Sequence, residues 1–215
     1  MGTDNVHHKR KAKQAKELAR RKARRKPYDK VLIVCEGEKT EPNYFEELKD
    51  YYELVSANVE ITGKCGSSPM SVVDYAQDLY REAKKAGDAF DKVFCVFDKD
   101  THSDYQSALD MLNSKNLKGV YQAVPSVPCF EYWLLLHFTY TDKPFNSVGN
   151  TSVCKMVMHE LNNEFWPDYQ KAAHGVFGQR LIQLEDAKAN AERALRAAQK
   201  NHTDNPSTRI HELVE

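Results

Sequence analysis

The stretch Val93–Asp100, Val-Phe-Cys-Val-Phe-Asp-Lys-Asp, decides how the fold is read. Its first five residues are β-branched, aromatic or Cys with no alternation, the pattern of a strand buried on both faces. Such strands belong to sheets covered by helices, and in open α/β sheets ligands bind beyond the carboxyl ends of the strands. Asp98 and Asp100 stand at that end. Two acids there can share a hard cation such as Mg²⁺, which takes oxygen ligands. They could equally cap the next helix, where Asp is favoured, or face solvent.

A second apolar run, Lys30–Cys35, predicts another central strand, and it also ends in acids: Glu36-Gly37-Glu38-Lys39-Thr40-Glu41. Gly37 permits a tight turn or a close backbone approach. Thr40 is read as an N-cap, and Pro42 falls in the first turn of a helix, where its missing N–H costs little. Tyr44, Phe45, Leu48, Tyr51 and Tyr52 carry that helix to about Val55. Glu36, directly after the strand, is the functional candidate. Glu41 complements the helix dipole, and Glu38 is solvated.

The remaining elements follow in order. Asn58–Thr62 alternates and predicts an edge strand. Ser68-Pro69 opens a helix that Gly87 closes. After Asp100, the spacing of Tyr105, Ala108, Leu109 and Leu112 marks a helix, and His102 reads as a polar loop residue. Lys118–Val124 is a fourth strand, ended by Pro125. Helical connectors between apolar strands mean parallel pairing and right-handed crossovers.

The chain then enters the apolar run Pro125–Phe138, in which Glu131 is the only carboxylate. A buried unpaired charge is expensive, so Glu131 needs a partner. A cation shared with Asp98 and Asp100 would serve, and so would an Arg or Lys. His137 is six residues on, off that helix face, and reads as a satisfied polar group or a substrate contact. Beyond Asp142, Thr151–Phe165 and Leu181–Lys200 predict helices. Asn205-Pro206-Ser207-Thr208 stops and restarts the chain before a short helix over Arg209–Glu215.

Charge is unevenly divided. Residues 1–30 hold twelve Lys or Arg against three acids, whereas the other 185 residues hold 19 basic and 28 acidic side chains. Met1–Lys26 is built of helix formers with almost no apolar face, so it is expected to be a solvated, partly frayed helix. Lys9, Arg10, Lys11, Lys13, Arg20, Arg21, Arg24 and Arg25 would grip a phosphate backbone there, in RNA or DNA, through counterion release. A solubilising tail would look the same. The five cysteines are scattered without CxxC spacing, as expected in a reducing cytoplasm. No apolar run approaches the roughly 20 residues that cross a bilayer. The expected organisation is a basic arm over 1–26, an α/β core over 27–140 and a helical C-terminal extension over 141–215 packed on the core.

A Glu-Gly turn after the first strand with an Asp-x-Asp after the third resembles the Toprim domain. More closely, Val31–Phe45, Phe97–Asp100, Pro128–Phe138 and Asn205–Thr208, in that order, are similar to the RloB-like family, Toprim-containing proteins of prokaryotic restriction and defence loci. The resemblance implies an α/β fold with a Toprim-like parallel sheet of about four strands flanked by helices. It implies that Glu36 acts as a general acid/base or metal ligand and that Asp98 and Asp100 hold Mg²⁺ or Mn²⁺. Glu131 would close the cluster, with Gly37, Lys39, Glu41, Lys99 and His137 around it. The implied activity is a metal-dependent nuclease of antiviral defence, with RNA (tRNA included) preferred over DNA, an ABC- or AAA-type ATPase partner and a tendency to oligomerise. The alternative is a non-catalytic nucleic-acid-binding or regulatory subunit.

Overall fold

A computed structural model describes residues 29–215 except 55–57, 115–116 and 118. The basic arm over 1–26 and its candidate phosphate contacts lie outside the described residues.

The two apolar runs form β1 (Val31–Cys35) and β3 (Lys92–Asp98), parallel neighbours paired from Val31 opposite Lys92 to Cys35 opposite Val96. β2 (Val59–Thr62) pairs with the outer side of β1 and is a sheet edge, as its alternation predicts. β4 (Tyr121–Val127) flanks β3 in parallel. The helices are α1 (Thr40–Tyr51), α2 (Pro69–Lys85), α3 (Tyr105–Leu112), α4 (Glu131–Leu135), α5 (Val153–Glu160), α6 (Val176–Arg180), α7 (Leu184–Lys200) and α8 (Ile210–Leu213).

Helices on both faces explain why β1 and the Val93–Phe97 run of β3 are apolar throughout. Ile33, Cys35, Phe94 and Val96 join one core with Tyr44 and Phe45 of α1, the α4 residues and the C-terminal helices. Leu32, Val34, Val93, Cys95 and Phe97 join the opposite core with Val72, Val73 and Ala76 of α2 and Ala108 and Leu112 of α3. Each fully buried Leu or Phe contributes about 1.5–3 kcal/mol. The second helix starts and stops as its sequence predicts. The Ser68 hydroxyl accepts from Ser71 N–H in a capping box, Pro69 sits in the first turn, and Gly87 follows at φ +76°.

Three expectations are corrected. The fourth strand does not end at Pro125 but runs through it to Val127. The Pro125 carbonyl accepts from Arg209 N–H on the side away from β3, so the missing proline N–H removes no β3 bond. Asn205–Thr208 is more than a break. Its last two residues form β5 (Ser207–Thr208), antiparallel to β4, with Ser126 Oγ and Thr208 Oγ1 2.9 Å apart. The sheet therefore has five strands among the described residues, in the order β2-β1-β3-β4-β5, and the C-terminal segment is woven into it. A two-residue strand is too short to show periodicity. Thr40 is not an N-cap: it is the first helical residue, and its hydroxyl accepts from Ala172 N–H at 3.1 Å. No helix among the described residues is long and apolar enough to cross a membrane.

Candidate functional site

β1, β3 and β4 run parallel, so their carboxyl ends share one edge of the sheet. Backbone bonds extend the pairing into the turns beyond. Glu36 N–H donates to the Val96 carbonyl at 2.9 Å, Lys99 N–H to Ser126 at 3.0 Å and Asp100 N–H to Pro128 at 3.0 Å. This ladder carries Glu36, Asp98 and the turn that opens α4 to one place.

Glu36 and Asp98 meet directly. Glu36 Oε2 accepts the Asp98 N–H at 3.0 Å, and its Oε1 lies 2.9 Å from His102 Nε2. His102, expected to be a plain loop residue, is therefore a partner of the leading acid. The turn after β3 folds it back, which spacing alone does not reveal.

Glu41 does more than complement the helix dipole. It is 8% exposed, and its Oε2 has no hydrogen-bond partner among the described residues. It passes so close over Gly37 that a Cβ there would collide with it. Gly37 is in turn held from below by Gly63, where a Cβ would run into the Gly37 carbonyl and come within 2.9 Å of Glu38 Cα. Glu131, only 1% exposed, offers Oε1 to Lys171 Nζ at 3.1 Å and to the Tyr169 hydroxyl at 3.4 Å. Its Oε2 has no hydrogen-bond partner among the described residues. A lysine thus supplies the ion pair that the sequence left open as an alternative. Nothing in the spacing of Tyr169 and Lys171 signals this role.

The acids act on one another. Burial raises the Asp98 pKa well above the usual carboxylate range, and the charges of Glu41, Glu131 and Glu36 raise it further. Burial takes Glu41 to about 7, with Glu131 and Glu36 adding while its own backbone hydrogen bond and Lys171 oppose. Glu36 is also raised by burial, against the Asp98 hydrogen bond and His102. Glu36, Glu41, Asp98 and Glu131 therefore form one electrostatic cluster. Asp100 stands apart, exposed, in a turn with φ +29°, and adds a smaller push on Glu36.

The other expected neighbours divide. Gly37 belongs to the cluster floor, while Lys39 is exposed. Lys99 turns away, binding both Asp204 oxygens at 2.8 and 2.7 Å above the Tyr105 ring. His137 is a core residue. It is 3% exposed, its Nδ1–H donates to the Trp133 carbonyl at 3.0 Å, and burial pulls its pKa to about 4. A cleft of about 320 Å³ opens beside Asp100, lined in part by Lys99, Thr101, Pro128, Asn146 and Ser152.

The donor set fits a hard divalent cation. It consists of carboxylate oxygens, which suit Mg²⁺ and Mn²⁺, and two of them are buried without a hydrogen-bond partner among the described residues. As the side chains stand, no three His, Cys, Asp or Glu among the described residues converge as a metal-ligand group. His102 and Lys171 each engage one acid instead.

The family profile described as RloB-like protein matches residues 31–215, and the chain belongs to that family. The five-stranded, mostly parallel sheet between helices is the Toprim-like α/β arrangement expected from the four sequence blocks. No curated protein and no solved structure matches the chain.

Proposed function

We propose that this RloB-like protein is a metal-dependent nuclease of prokaryotic antiviral defence, acting in the cytoplasm on nucleic acid, with RNA (tRNA included) preferred over DNA. The observation that carries the reading is the cluster of Glu36, Glu41, Asp98 and Glu131 in the turns and helix starts beyond β1, β3 and β4, two of them with buried oxygens that have no hydrogen-bond partner among the described residues. A purely structural design would not gather these charges around the one lysine that contacts them among the described residues, because each buried carboxylate without a counter-ion destabilises the fold. Perturbed carboxylates of this kind cluster at functional sites.

Asp98, Glu41 and Glu131, with Glu36 and Asp100 as further oxygen donors, would hold Mg²⁺ or Mn²⁺. Such an ion neutralises phosphate charge and readies water at neutral pH. The chain's own residues do the rest. Glu36, fixed by the Asp98 N–H and His102, is placed to take or return a proton at its Oε1. The cleft beside Asp100 offers room for the strand on either side of the scissile bond, with Lys99 at its wall. The basic residues before Pro27 add sequence-independent grip on the backbone. The preference for RNA and a partner ATPase of the ABC or AAA type rest on the family resemblance.

Incubating the full chain with labelled tRNA and with plasmid, in Mg²⁺, Mn²⁺ or EDTA and with or without the neighbouring ATPase, tests the reading. Cleavage that needs the metal and is lost in Asp98→Ala supports it. No cleavage in any arm, or cleavage unchanged by Asp98→Ala, rejects it. A non-catalytic binding subunit would instead bind the same RNA equally well in EDTA.

A further inference from the structure

Lys171 comes from a segment far from the three strand ends, and the fold spends several contacts to bring it there. Ala172 N–H donates to Thr40 Oγ1, and the Ala172 carbonyl accepts from Asn43 Nδ2, both at 3.1 Å. Ala172 sits at φ +64°, a left-handed conformation that is unfavourable for a non-glycine residue. Three residues on, Glu47 accepts the N–H groups of Gly175 and of Phe177, the latter at 3.0 Å. Thr40, Asn43 and Glu47 all lie on α1, the helix that also carries Glu41. One helix therefore mounts both an acid of the cluster and the brace that delivers its lysine.

The ammonium lies 3.1 Å from an oxygen of Glu131, although half of the lysine side chain stays in solvent. Lys171 also acts on Glu41, opposing the burial that raises that acid. Among the described residues it is the lysine in contact with the cluster, through Glu131.

We infer that the Lys171 ammonium stands in one cation position of the carboxylate cluster, so that the chain takes one divalent ion where its acids would otherwise hold two. The inference rests on the metal reading above. In two-metal sites the ions lie about 3.5–4 Å apart on shared carboxylates. A tethered ammonium on Glu131 repels a second divalent ion from the acids they would share. The ammonium carries two further donors beside the one on Glu131, which suits it to a non-bridging phosphate oxygen.

Counting bound Mn²⁺ by calorimetry and by electron paramagnetic resonance decides it, using the full chain, Lys171→Met and Lys171→Arg at one pH. Lys171→Gln replaces Lys171→Met should the latter fail to fold by circular dichroism. The expected result is one more Mn²⁺ per chain in Lys171→Met than in the unaltered protein, and no gain in Lys171→Arg, which keeps the charge. Equal counts in all three, or the same gain in Lys171→Arg, overturn the inference. The count in the unaltered protein is a separate readout: zero there rejects the metal reading, whereas the difference between the variants judges Lys171.

Discussion

The Glu36 carboxylate accepts the backbone N–H of Asp98 at 3.0 Å, so the first residue beyond β1 is tied to the last residue of β3. The bond does two things. It satisfies a partly buried amide, and it fixes one acid of the cluster with respect to another. The consequence is a set of acids close enough to raise one another's pKa, which costs stability and supplies an electrostatic pull on cations.

Replacing Asp98 separates those two effects. Asp98→Asn keeps the shape and removes a charge that Glu41, Glu131 and Glu36 all disfavour. The variant should abolish metal-dependent cleavage and melt at or above the temperature of the unaltered protein, the usual pattern where function is held at the expense of stability. A melting temperature lowered by several degrees would show that the carboxylate is structural.

The two glycines beneath the cluster should respond unequally. Gly63→Ala pushes a methyl into the Gly37 carbonyl, a backbone atom that cannot move aside, and should lose about 1–3 kcal/mol or more. Gly37→Ala meets only the end of the Glu41 side chain and should shift that carboxylate at smaller cost in stability. Gly178→Ala, with nothing within 4 Å, should be neutral or stabilising by up to about 1 kcal/mol. Urea unfolding of the three variants gives the ranking, and Gly63→Ala matching Gly178→Ala would contradict it.

The pH dependence has a defined sign. Glu41 has a pKa of about 7 in the fold against an ordinary value of 4.5, so between these values the folded chain binds more protons than the unfolded one. Its contribution is therefore present below about pH 4.5 and is lost as pH rises through 7, by on the order of 3 kcal/mol. His137 acts in the opposite sense, since burial lowers its pKa to about 4. Unfolding free energies of the unaltered chain minus Glu41→Gln, measured from pH 4.5 to 8 without divalent ions, isolate the acid. The difference should fall with rising pH, and a flat difference would mean that Glu41 is not perturbed. Mg²⁺ or Mn²⁺ at one fixed concentration, 100 times its dissociation constant at pH 8, should restore about 2.7 kcal/mol at pH 8 and less at pH 5.5.

The basic arm should set the salt response. Binding of tRNA by the full chain should weaken on the order of 10³-fold between 50 and 200 mM salt if six or more phosphates are contacted. Removing residues 1–26 should weaken binding at low salt and flatten the slope, leaving the folded body intact by circular dichroism. A truncated chain with an unchanged slope would place the contacts elsewhere.

Much of this protein is legible in its sequence, for a physical reason. Unbroken apolar runs such as Lys30–Cys35 and Val93–Phe97 are only stable between two helical layers, and the structure buries them so. The same runs place Glu36 and Asp98 at the carboxyl ends of parallel strands, and the apolar surroundings of Glu131 demand a counter-charge. Ser68-Pro69 and Gly87 bound α2 through local bonding alone. What only the tertiary structure decided lies between elements distant in the chain. Glu41 is drawn inward because Gly37 lacks a Cβ, and His102 folds back onto Glu36. Lys99 is taken up by Asp204, β5 closes onto β4, and α1 holds the segment that sets Lys171 against Glu131. Local pattern records which face a residue buries, but a counter-ion supplied from 40 residues away leaves no period to read.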